Sequence, residues 1–328
     1  MSTKLILVLG ATGAQGLAVV DALLAPASDG SPSPYSVRAL TRNPQNERAL
    51  SLKARGVEVL QGNTDDLDSM EAALTGVYGA WINIDTFTVG EMKEMWSAMR
   101  IYELAKKVGV KHFVWSSLEY ITKIANYDEK YRVEHYNAKG RVADWLKAQP
   151  SIVSENEMSW SVVSTGPYMD MLYELFAPVQ APDGTFVFAA PIGDGHAAMI
   201  ALADIGFFAR YTFDNRELTS GKDLEVASEV IGWEDLAKTF TNVTGQKAIY
   251  LRLSLDEWFD LFIDADLPLA GERKKGDGSW TFRQNFSGWW NVFKDDLLKK
   301  DMTWLRDVHP NGYTVARWIN LPLEKFGD

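Results

Sequence analysis

The 328-residue chain contains no cysteine. Disulfides, thiolate metal sites, iron–sulfur clusters and mechanisms that depend on a redox-active thiol are therefore excluded. Histidine is also scarce. The four histidines have no spacing that is typical of metal ligands, so we predict no metal site; they are His112, His135, His196 and His309.

Long apolar runs and an excess of positive charge are also missing. No stretch approaches the roughly 18 apolar residues of a membrane span. The short apolar run at the N-terminus leads into glycines and not into a cleavage site, which predicts a soluble, cytoplasmic protein with no membrane partner. Thirty-three basic residues against 44 acidic residues give a net charge of −11. Such a surface repels phosphate backbones, so we expect no nucleic-acid partner.

The first half of the chain alternates two kinds of segment. Apolar runs typical of buried strands occur at 4–9, 36–41, 57–60, 79–84, 111–116 and 159–164. Amphipathic, helix-like segments lie between them at 14–25, 44–55, 66–74, 91–108 and 130–148. This alternation is typical of right-handed crossovers between parallel strands. It predicts an α/β protein with a Rossmann doubly wound parallel sheet.

Beyond residue 168 the pattern changes. Prolines and glycines interrupt short extended pieces as far as Gly195, and helical patterns resume near 202–213, 233–243 and 255–264. Tryptophan and phenylalanine then become frequent. We predict a Rossmann domain over residues 1–168 and a smaller, aromatic-rich α+β region for a substrate or partner over residues 169–328. Some segments of the second region are expected to return to the sheet.

A glycine-rich motif, Gly10-Ala11-Thr12-Gly13-Ala14-Gln15-Gly16, directly follows the first apolar run and opens the first helical pattern. Gly10 permits a tight turn, Gly13 allows a pyrophosphate to approach the backbone, and Gly16 allows the helix to pack closely on the strand. The N-terminus of the helix adds unpaired N–H groups and a partial positive charge. The motif therefore predicts a dinucleotide site.

The end of the second strand indicates which dinucleotide is bound. An acidic residue there would accept a hydrogen bond from the ribose 2′-hydroxyl of NAD. The segment from Val37 to Pro44 contains no acid, and Arg42 is placed where a guanidinium can pair with a 2′-phosphate. The predicted cofactor is therefore NADP(H).

Four segments together resemble the NmrA-like family of atypical short-chain dehydrogenase/reductases: GATGAQG at 10–16, LTRNP at 40–44, GVEVLQGNTDD at 56–66 and HYNAKGRVADWL at 135–146. The resemblance extends to about Gly195 and continues more faintly beyond it. It implies an NADP(H)-binding Rossmann fold.

The resemblance also implies positions for the cofactor. The pyrophosphate would be lined by Gly10, Thr12, Gly13, Ala14, Gln15 and Gly16. The other contacts would come from Arg42 at the 2′-phosphate, Asn63 and Thr64 at the adenine, Asn83 and Ile84 along the ribose, Ser116 and Ser117 beside the nicotinamide, Lys139 at the nicotinamide ribose, and Pro167 and Tyr168 flanking the ring.

The catalytic pattern of the larger superfamily, Tyr-x-x-x-Lys, is altered here. Lys139 is present, but His135 stands where the tyrosine would be, and Tyr136 is rotated about 100° around the helix. Tyr102 and Lys106 have the required spacing but precede the strand that carries the serines. The candidate catalytic residues are therefore Lys139, His135, Ser117 and Tyr168.

Three functions fit this altered pattern. The first is a reductase whose proton comes from Lys139, from water or from His135 with a pKa near neutrality. The second is a sensor that binds NADP(H) and changes its shape or partner. The third is a non-redox enzyme that rearranges its substrate, with acids such as Asp85 or Asp170 near the cleft.

The aromatic region favours the reductase. Adjacent tryptophans are not expected to face one core from a regular helix, so Trp289 or Trp290 should line a cleft. Such a cleft suits a small, flat, largely apolar substrate. The loop from Gly271 to Gly278 is expected to close over the site. An oligomer is possible, and the sequence leaves its size open.

Overall fold

The computed structural model describes residues 3–27 and 29–320. The C-terminal end of the second predicted region, residues 321–328, lies outside the described residues, as do residues 1, 2 and 28. The strands are β1 Lys4–Leu9, β2 Tyr35–Thr41, β3 Glu58–Gln61, β4 Gly79–Ile82, β5 His112–Ser117, β6 Ser159–Ser164, β7 Val179–Gln180, β8 Phe186–Ala190, β9 His196–Met199, β10 Asp223–Glu225, β11 Glu229–Gly232 and β12 Ala248–Arg252.

The helices are α1 Ala14–Leu24, α2 Glu47–Ala54, α3 Leu67–Leu74, α4 Thr86–Val89, α5 Glu91–Lys107, α6 Ile121–Ile124, α7 Glu134–Lys147, α8 Leu202–Asp214, α9 Arg216–Thr219, α10 Trp233–Thr244, α11 Leu255–Phe259, α12 Phe282–Lys294, α13 Met302–Val308 and α14 Val315–Ile319. Two 3₁₀ helices span Glu129–Tyr131 and Met169–Tyr173. No helix among the described residues has both the length and the apolar character needed to cross a membrane.

Seven strands form a parallel central sheet in the order β10-β6-β5-β4-β1-β2-β3. The prediction of a doubly wound Rossmann sheet is confirmed. Strands β4, β5 and β6 are buried along their whole length because helices cover both faces of the sheet. The chain reverses its direction of winding at β1, and the carboxyl ends of the strands meet there.

Each face of the sheet has its own apolar core. Ile6 contributes to the cluster under α1 and α8, whereas its neighbour Leu7 contributes to the cluster under α3, α5 and α7. This alternation is the two-residue period of a strand. Helices α1 and α8 pack very closely, since a Cβ on Gly206 would lie 2.4 Å from the carbonyl oxygen of Ala18. Helix α8 thus anchors a late segment of the chain to the first helix.

The second region builds a third core beside the carboxyl edge of the sheet. Its strands form a three-stranded sheet, β12-β8-β7, and the antiparallel pair β9 and β11. Strand β10 leaves this region and pairs with β6 in the central sheet. Helix α11 ends at Phe259, although the sequence pattern predicted a helix as far as residue 264. The core between these elements is rich in tryptophan and phenylalanine.

The inference that Trp289 and Trp290 cannot share one core is wrong, although one of the pair, Trp289, does line a cavity as predicted. Both side chains are buried, at 2% and 0% exposure, and their rings are 4.7 Å apart. Helix α12 has aromatic neighbours on more than one side: Trp289 packs on Phe293, and Trp290 packs on Trp233. The two tryptophans point in different directions, and both still pack in the same aromatic core.

Candidate active site

The glycine-rich turn has the geometry that its spacing predicted. Gly10 has φ +77°, and the N–H of Gly13 donates to its carbonyl oxygen at 2.9 Å. A Cβ on Gly16 would lie 2.1 Å from the same oxygen, so only glycine fits between the strand and α1. No side chain in the described part of the molecule caps α1. Its first-turn N–H groups are therefore available to an anion, and exposed Gly13 and Ala14 line the cavity beside them.

A chain of hydrogen bonds joins three strand ends behind this turn. The Ser116 hydroxyl donates to Oε1 of Gln15 at 2.7 Å, and Nε2 of Gln15 donates to the Tyr168 hydroxyl at 3.1 Å. Burial raises the pKa of Tyr168, so the phenol stays protonated at neutral pH. Because its oxygen accepts from Gln15, its own O–H is left to donate elsewhere.

Lys139 is held by three acceptors. Its Nζ lies 3.0 Å from Oδ1 of Asn83, 2.7 Å from the carbonyl oxygen of Ile84 and 2.8 Å from Oε1 of Glu94. An ammonium has three N–H groups, so each one has a protein acceptor. The Glu94 side chain is fully buried and also accepts from Thr86. Burial raises the pKa of Glu94, and the neighbouring ammonium opposes this shift.

His135 borders the same cavity in a neutral form. Its Nδ1 lies 3.1 Å from Oδ1 of Asn285, and its ring packs 4.8 Å from the ring of Phe87. Burial, reinforced by the charge of Lys139, lowers the pKa of His135 to about 4. The prediction that this pKa lies near neutrality is wrong, because desolvation disfavours the imidazolium. His135 is therefore not a cationic proton donor at neutral pH.

Ser117 is buried at the end of β5. Its hydroxyl lies 3.0 Å from the carbonyl oxygen of Leu118 and 3.2 Å from that of Lys139. The indole N–H of Trp115 donates to the same Lys139 carbonyl at 3.1 Å. Ser117 thus borders the cavity while its single hydroxyl hydrogen is shared between these two carbonyl oxygens.

One cavity of about 620 Å³ lies at the carboxyl edge of the sheet. It brings together every residue of the predicted cofactor and catalytic sites: Gly10, Thr12, Gly13, Ala14, Gln15, Gly16, Arg42, Asn63, Thr64, Asn83, Ile84, Ser116, Ser117, His135, Lys139, Pro167 and Tyr168. Asp170, which was expected near the cleft, is not among the residues that line the cavity. Beyond His135 the cavity continues along an aromatic wall, which we define as Phe87, His135, Tyr136, Phe286 and Trp289. We call the part lined by the glycine-rich turn, Arg42, Asn63 and Thr64 the nucleotide half and the part lined by the aromatic wall the aromatic half; the two are a single space.

The loop that was expected to close over the site is fastened near the cavity. The N–H groups of Gly271 and Glu272 donate to the carbonyl oxygens of Phe87 and Thr88, at 2.7 and 3.1 Å. Glu272 lines the cavity and pairs with Lys93 at 2.9 Å. These contacts join the second region to the segment that follows β4.

Several residues were missed from the sequence. Glu94 and Thr86 hold Lys139 in place, and Arg48 donates to the carbonyl oxygen of Thr12 at 3.1 Å beside the glycine-rich turn. Glu94 had a usable signal, since it occupies the buried face of α5, where a carboxylate needs a partner. Asn285 had none, because 150 residues separate it from His135.

Other candidates lie elsewhere or have structural roles. Tyr102 is buried against Phe113 and Trp145 and is not among the cavity residues. Asp85 borders the cavity but caps α4 by accepting from the N–H of Phe87. Among residues 3–27 and 29–320, no cluster of three His, Asp or Glu side chains could hold a metal ion.

A parallel doubly wound sheet with an open cavity at its carboxyl edge defines a Rossmann-fold protein. The sequence model of the NmrA-like family matches residues 2–272, and the chain belongs to that family. An NmrA-like family domain-containing oxidoreductase from Aspergillus hancockii is 29% identical over 271 residues, which cover 80% of this chain and 78% of the relative.

Two solved structures show the same fold. NmrA, a negative transcriptional regulator solved in complex with NADP, has a TM-score of 0.68 at 17% identity and covers 100% of this chain and 99% of its own. The NADPH-dependent quinone oxidoreductase QOR2 from Escherichia coli, complexed with NADPH, has a TM-score of 0.70 at 21% identity. That match covers 96% of this chain and 98% of the other.

Proposed function

We propose that this chain is an NADPH-dependent reductase of a small aromatic or conjugated compound. One observation carries the proposal: a single cavity joins a built anion site at the glycine-rich turn to an aromatic wall. The membership in the NmrA-like family and the oxidoreductase relative support it. A protein that only bound the nucleotide would have no need of the second half of this space.

The residues present fit the cofactor. The uncapped start of α1 would hold the diphosphate. Exposed Arg42, whose guanidinium makes no hydrogen bond or ion pair among the described residues, would pair with the 2′-phosphate. When bound, NADPH supplies a hydride. The NADP and NADPH complexes of the two structural neighbours support this cofactor.

The proton is assigned to Tyr168. Its hydroxyl borders the cavity, stays protonated and has a hydrogen that Gln15 does not use. Lys139 has no free N–H group, so its role is to position Asn83 and to place a positive charge near the reacting end of the cavity. A positioned general acid contributes a factor of about 100 to 10,000 in rate, and because the raised pKa makes this phenol a weaker acid, we expect the lower end of that range.

A matched pair of variants tests this assignment. Wild-type protein is expected to consume NADPH with at least one compound of a panel of quinones and conjugated carbonyls. Tyr168→Phe should lower kcat by about 100-fold or more without weakening NADPH binding, because the ring stays and only the hydroxyl is lost. Tyr127→Phe, an exposed tyrosine outside the cavity, is the control. Full activity of Tyr168→Phe would reject the assignment.

The sensor is the second candidate, and the engagement of all three N–H groups of Lys139 favours it. NmrA, a structural neighbour, is described as a negative transcriptional regulator. A sensor should consume no NADPH with any compound of the panel. It should instead change its oligomeric state or its affinity for a partner between NADP⁺ and NADPH, measured by light scattering and by binding assays.

A further inference from the structure

The protonation of the two ring nitrogens of His135 can be assigned from its neighbours. Nδ1 faces Oδ1 of Asn285 at 3.1 Å, and the backbone N–H of Glu134 donates to the same atom at 2.9 Å. A backbone amide can only donate, so the Asn285 atom that faces it must be the oxygen and not the amide nitrogen. That oxygen needs a donor from the ring as well. The hydrogen of the neutral imidazole therefore resides on Nδ1.

The Asn285 side chain is held through its oxygen alone. It is fully buried, and its Nδ2 has no partner among the described residues. Turning the amide over would place N–H groups against the N–H of Glu134 and would lose both existing bonds. The orientation that gives His135 an Nδ1–H is thus the only one in which the buried amide accepts from both donors.

The other nitrogen, Nε2, is consequently a pure acceptor. It has no hydrogen-bond partner in the described part of the chain and is not among the enclosed polar atoms, while the ring borders the cavity. The ring cannot easily turn away, because Phe87 and Phe286 lie on it at centroid distances of 4.8 and 6.1 Å. The Nε2 lone pair is thus an unpaired acceptor, held in a fixed direction, within the aromatic wall.

We propose that the substrate carries an O–H or N–H donor on its aromatic or conjugated ring system, and that His135 Nε2 accepts this hydrogen bond and selects for it. The inference rests on the proposed function for the location of the substrate. It makes His135 a specificity-determining residue. A carbonyl oxygen in the same place would set lone pair against lone pair, so the compound's acceptor groups must face elsewhere, toward Tyr168.

Nuclear magnetic resonance of the imidazole nitrogens tests the first step without any ligand. The chain has only four histidines, so nitrogen-15 labelling of histidine gives few signals, and His135→Gln identifies the signals of His135. At neutral pH we expect a protonated Nδ1 and an unprotonated Nε2. A protonated Nε2 would overturn the inference.

A pair of probe ligands tests the second step. β-Naphthol has a donor, and its methyl ether has the same ring system without one. With the NADP⁺-saturated protein, calorimetry should show β-naphthol binding at least about 10-fold more tightly, because the ether leaves the buried acceptor unpaired. In His135→Phe the two affinities should agree within about twofold.

The probe titrations have two controls, a variant of an exposed histidine and the binding of NADP⁺ itself. His196→Phe changes an exposed histidine outside the cavity and should keep the preference for β-naphthol. Equal affinities in the wild-type protein, or no binding of either probe, would overturn the proposed substrate class. Failure of NADP⁺ to bind in the same titrations would instead count against the proposed function. The protonation of the His135 ring would still be decided by the nitrogen-15 spectrum, which needs no ligand.

Discussion

The two halves of the cavity are built in different ways. The nucleotide half is built around a stretch of local backbone, namely the glycine-rich turn and the uncapped start of α1, with side chains from the ends of the parallel strands beside it. The aromatic wall consists of side chains that come from distant parts of the chain, such as Phe87 and Phe286. The shape of the nucleotide half therefore depends on a local signal, the glycines of the seven-residue motif at 10–16. The aromatic half is specified by long-range packing, and the two should respond differently to substitution.

The largest expected effect is that of Gly16→Ala. The new Cβ would lie 2.1 Å from the Gly10 carbonyl oxygen and 2.6 Å from Cα of Ala11, both of them backbone atoms. We expect α1 to be pushed off β1, with a loss of about 3 kcal/mol in the free energy of unfolding. Calorimetry should detect no NADP(H) binding, and urea denaturation should report the stability.

Gly13→Ala is the matched control for Gly16→Ala. Its Cβ would meet only the Gly10 carbonyl oxygen, at 3.3 Å. The variant should keep nearly all of the wild-type stability and lose cofactor affinity, because the methyl group enters the space of the diphosphate. Equal destabilisation by the two alanines would contradict the argument from close packing.

The same kind of change in the other half is Gly288→Ala. A Cβ there would lie 2.0 Å from the carbonyl oxygen of Arg132, so α12 must move, and with it Phe286 and Trp289. We expect a loss of about 2 kcal/mol in stability and weaker binding of aromatic ligands, while NADP(H) affinity is kept. Calorimetry with both ligands measures the two effects. Equal loss of cofactor binding would show that the halves are not independent.

Arg42→Ala tests the contribution of a single side chain in the nucleotide half. Removing a charge-assisted pair with the 2′-phosphate should weaken NADPH binding by roughly 10- to 100-fold. The affinity for NADH, which lacks this phosphate, should stay unchanged and serves as the internal control. A parallel loss for both cofactors in the calorimeter would remove Arg42 from the 2′-phosphate site.

The last effect is a pH dependence of stability carried by two buried histidines, of which only His135 lines the cavity. Burial lowers the pKa of His112, in the central sheet, to about 3 and that of His135 to about 4, from an ordinary value of 6.5. The unfolded chain therefore binds more protons than the folded one between these values. Stability is expected to fall as pH decreases from 6.5 toward 4, by up to about 1.4 kcal/mol per pH unit for each group.

Variants isolate this pH effect from that of the carboxyl groups. Buried Glu94 and half-buried Glu134 have raised pKa values and take up protons on folding, so they act in the opposite sense. His112→Gln and His135→Gln should each remove one histidine's share of the slope, measured by urea denaturation at pH 6.5 and pH 5. A variant with the wild-type slope would show that folding does not lower the pKa of the histidine it replaces.

The sequence predicted the elements whose signals are local. The first six strands and the glycine-rich turn lie within a few residues of their predicted positions, because apolar runs and glycine spacing are read over short windows. Strand β10 was not predicted from the sequence. It has only three residues, Asp223–Glu225, and its partner strand β6 lies far away in the chain. The sequence also could not show that three acceptors enclose the ammonium of Lys139, or that Asn285 sets the tautomer of His135.

Gln15 belongs to both the glycine-rich turn and the hydrogen-bonded chain that ends at Tyr168. Any ligand that shifts the start of α1 would therefore also shift Tyr168, the proposed proton donor. A dinucleotide analogue with an altered diphosphate bridge should consequently bind with nearly normal affinity yet support slow turnover. The protein would then discriminate between the natural coenzyme and the analogue by the rate of turnover and not by binding affinity.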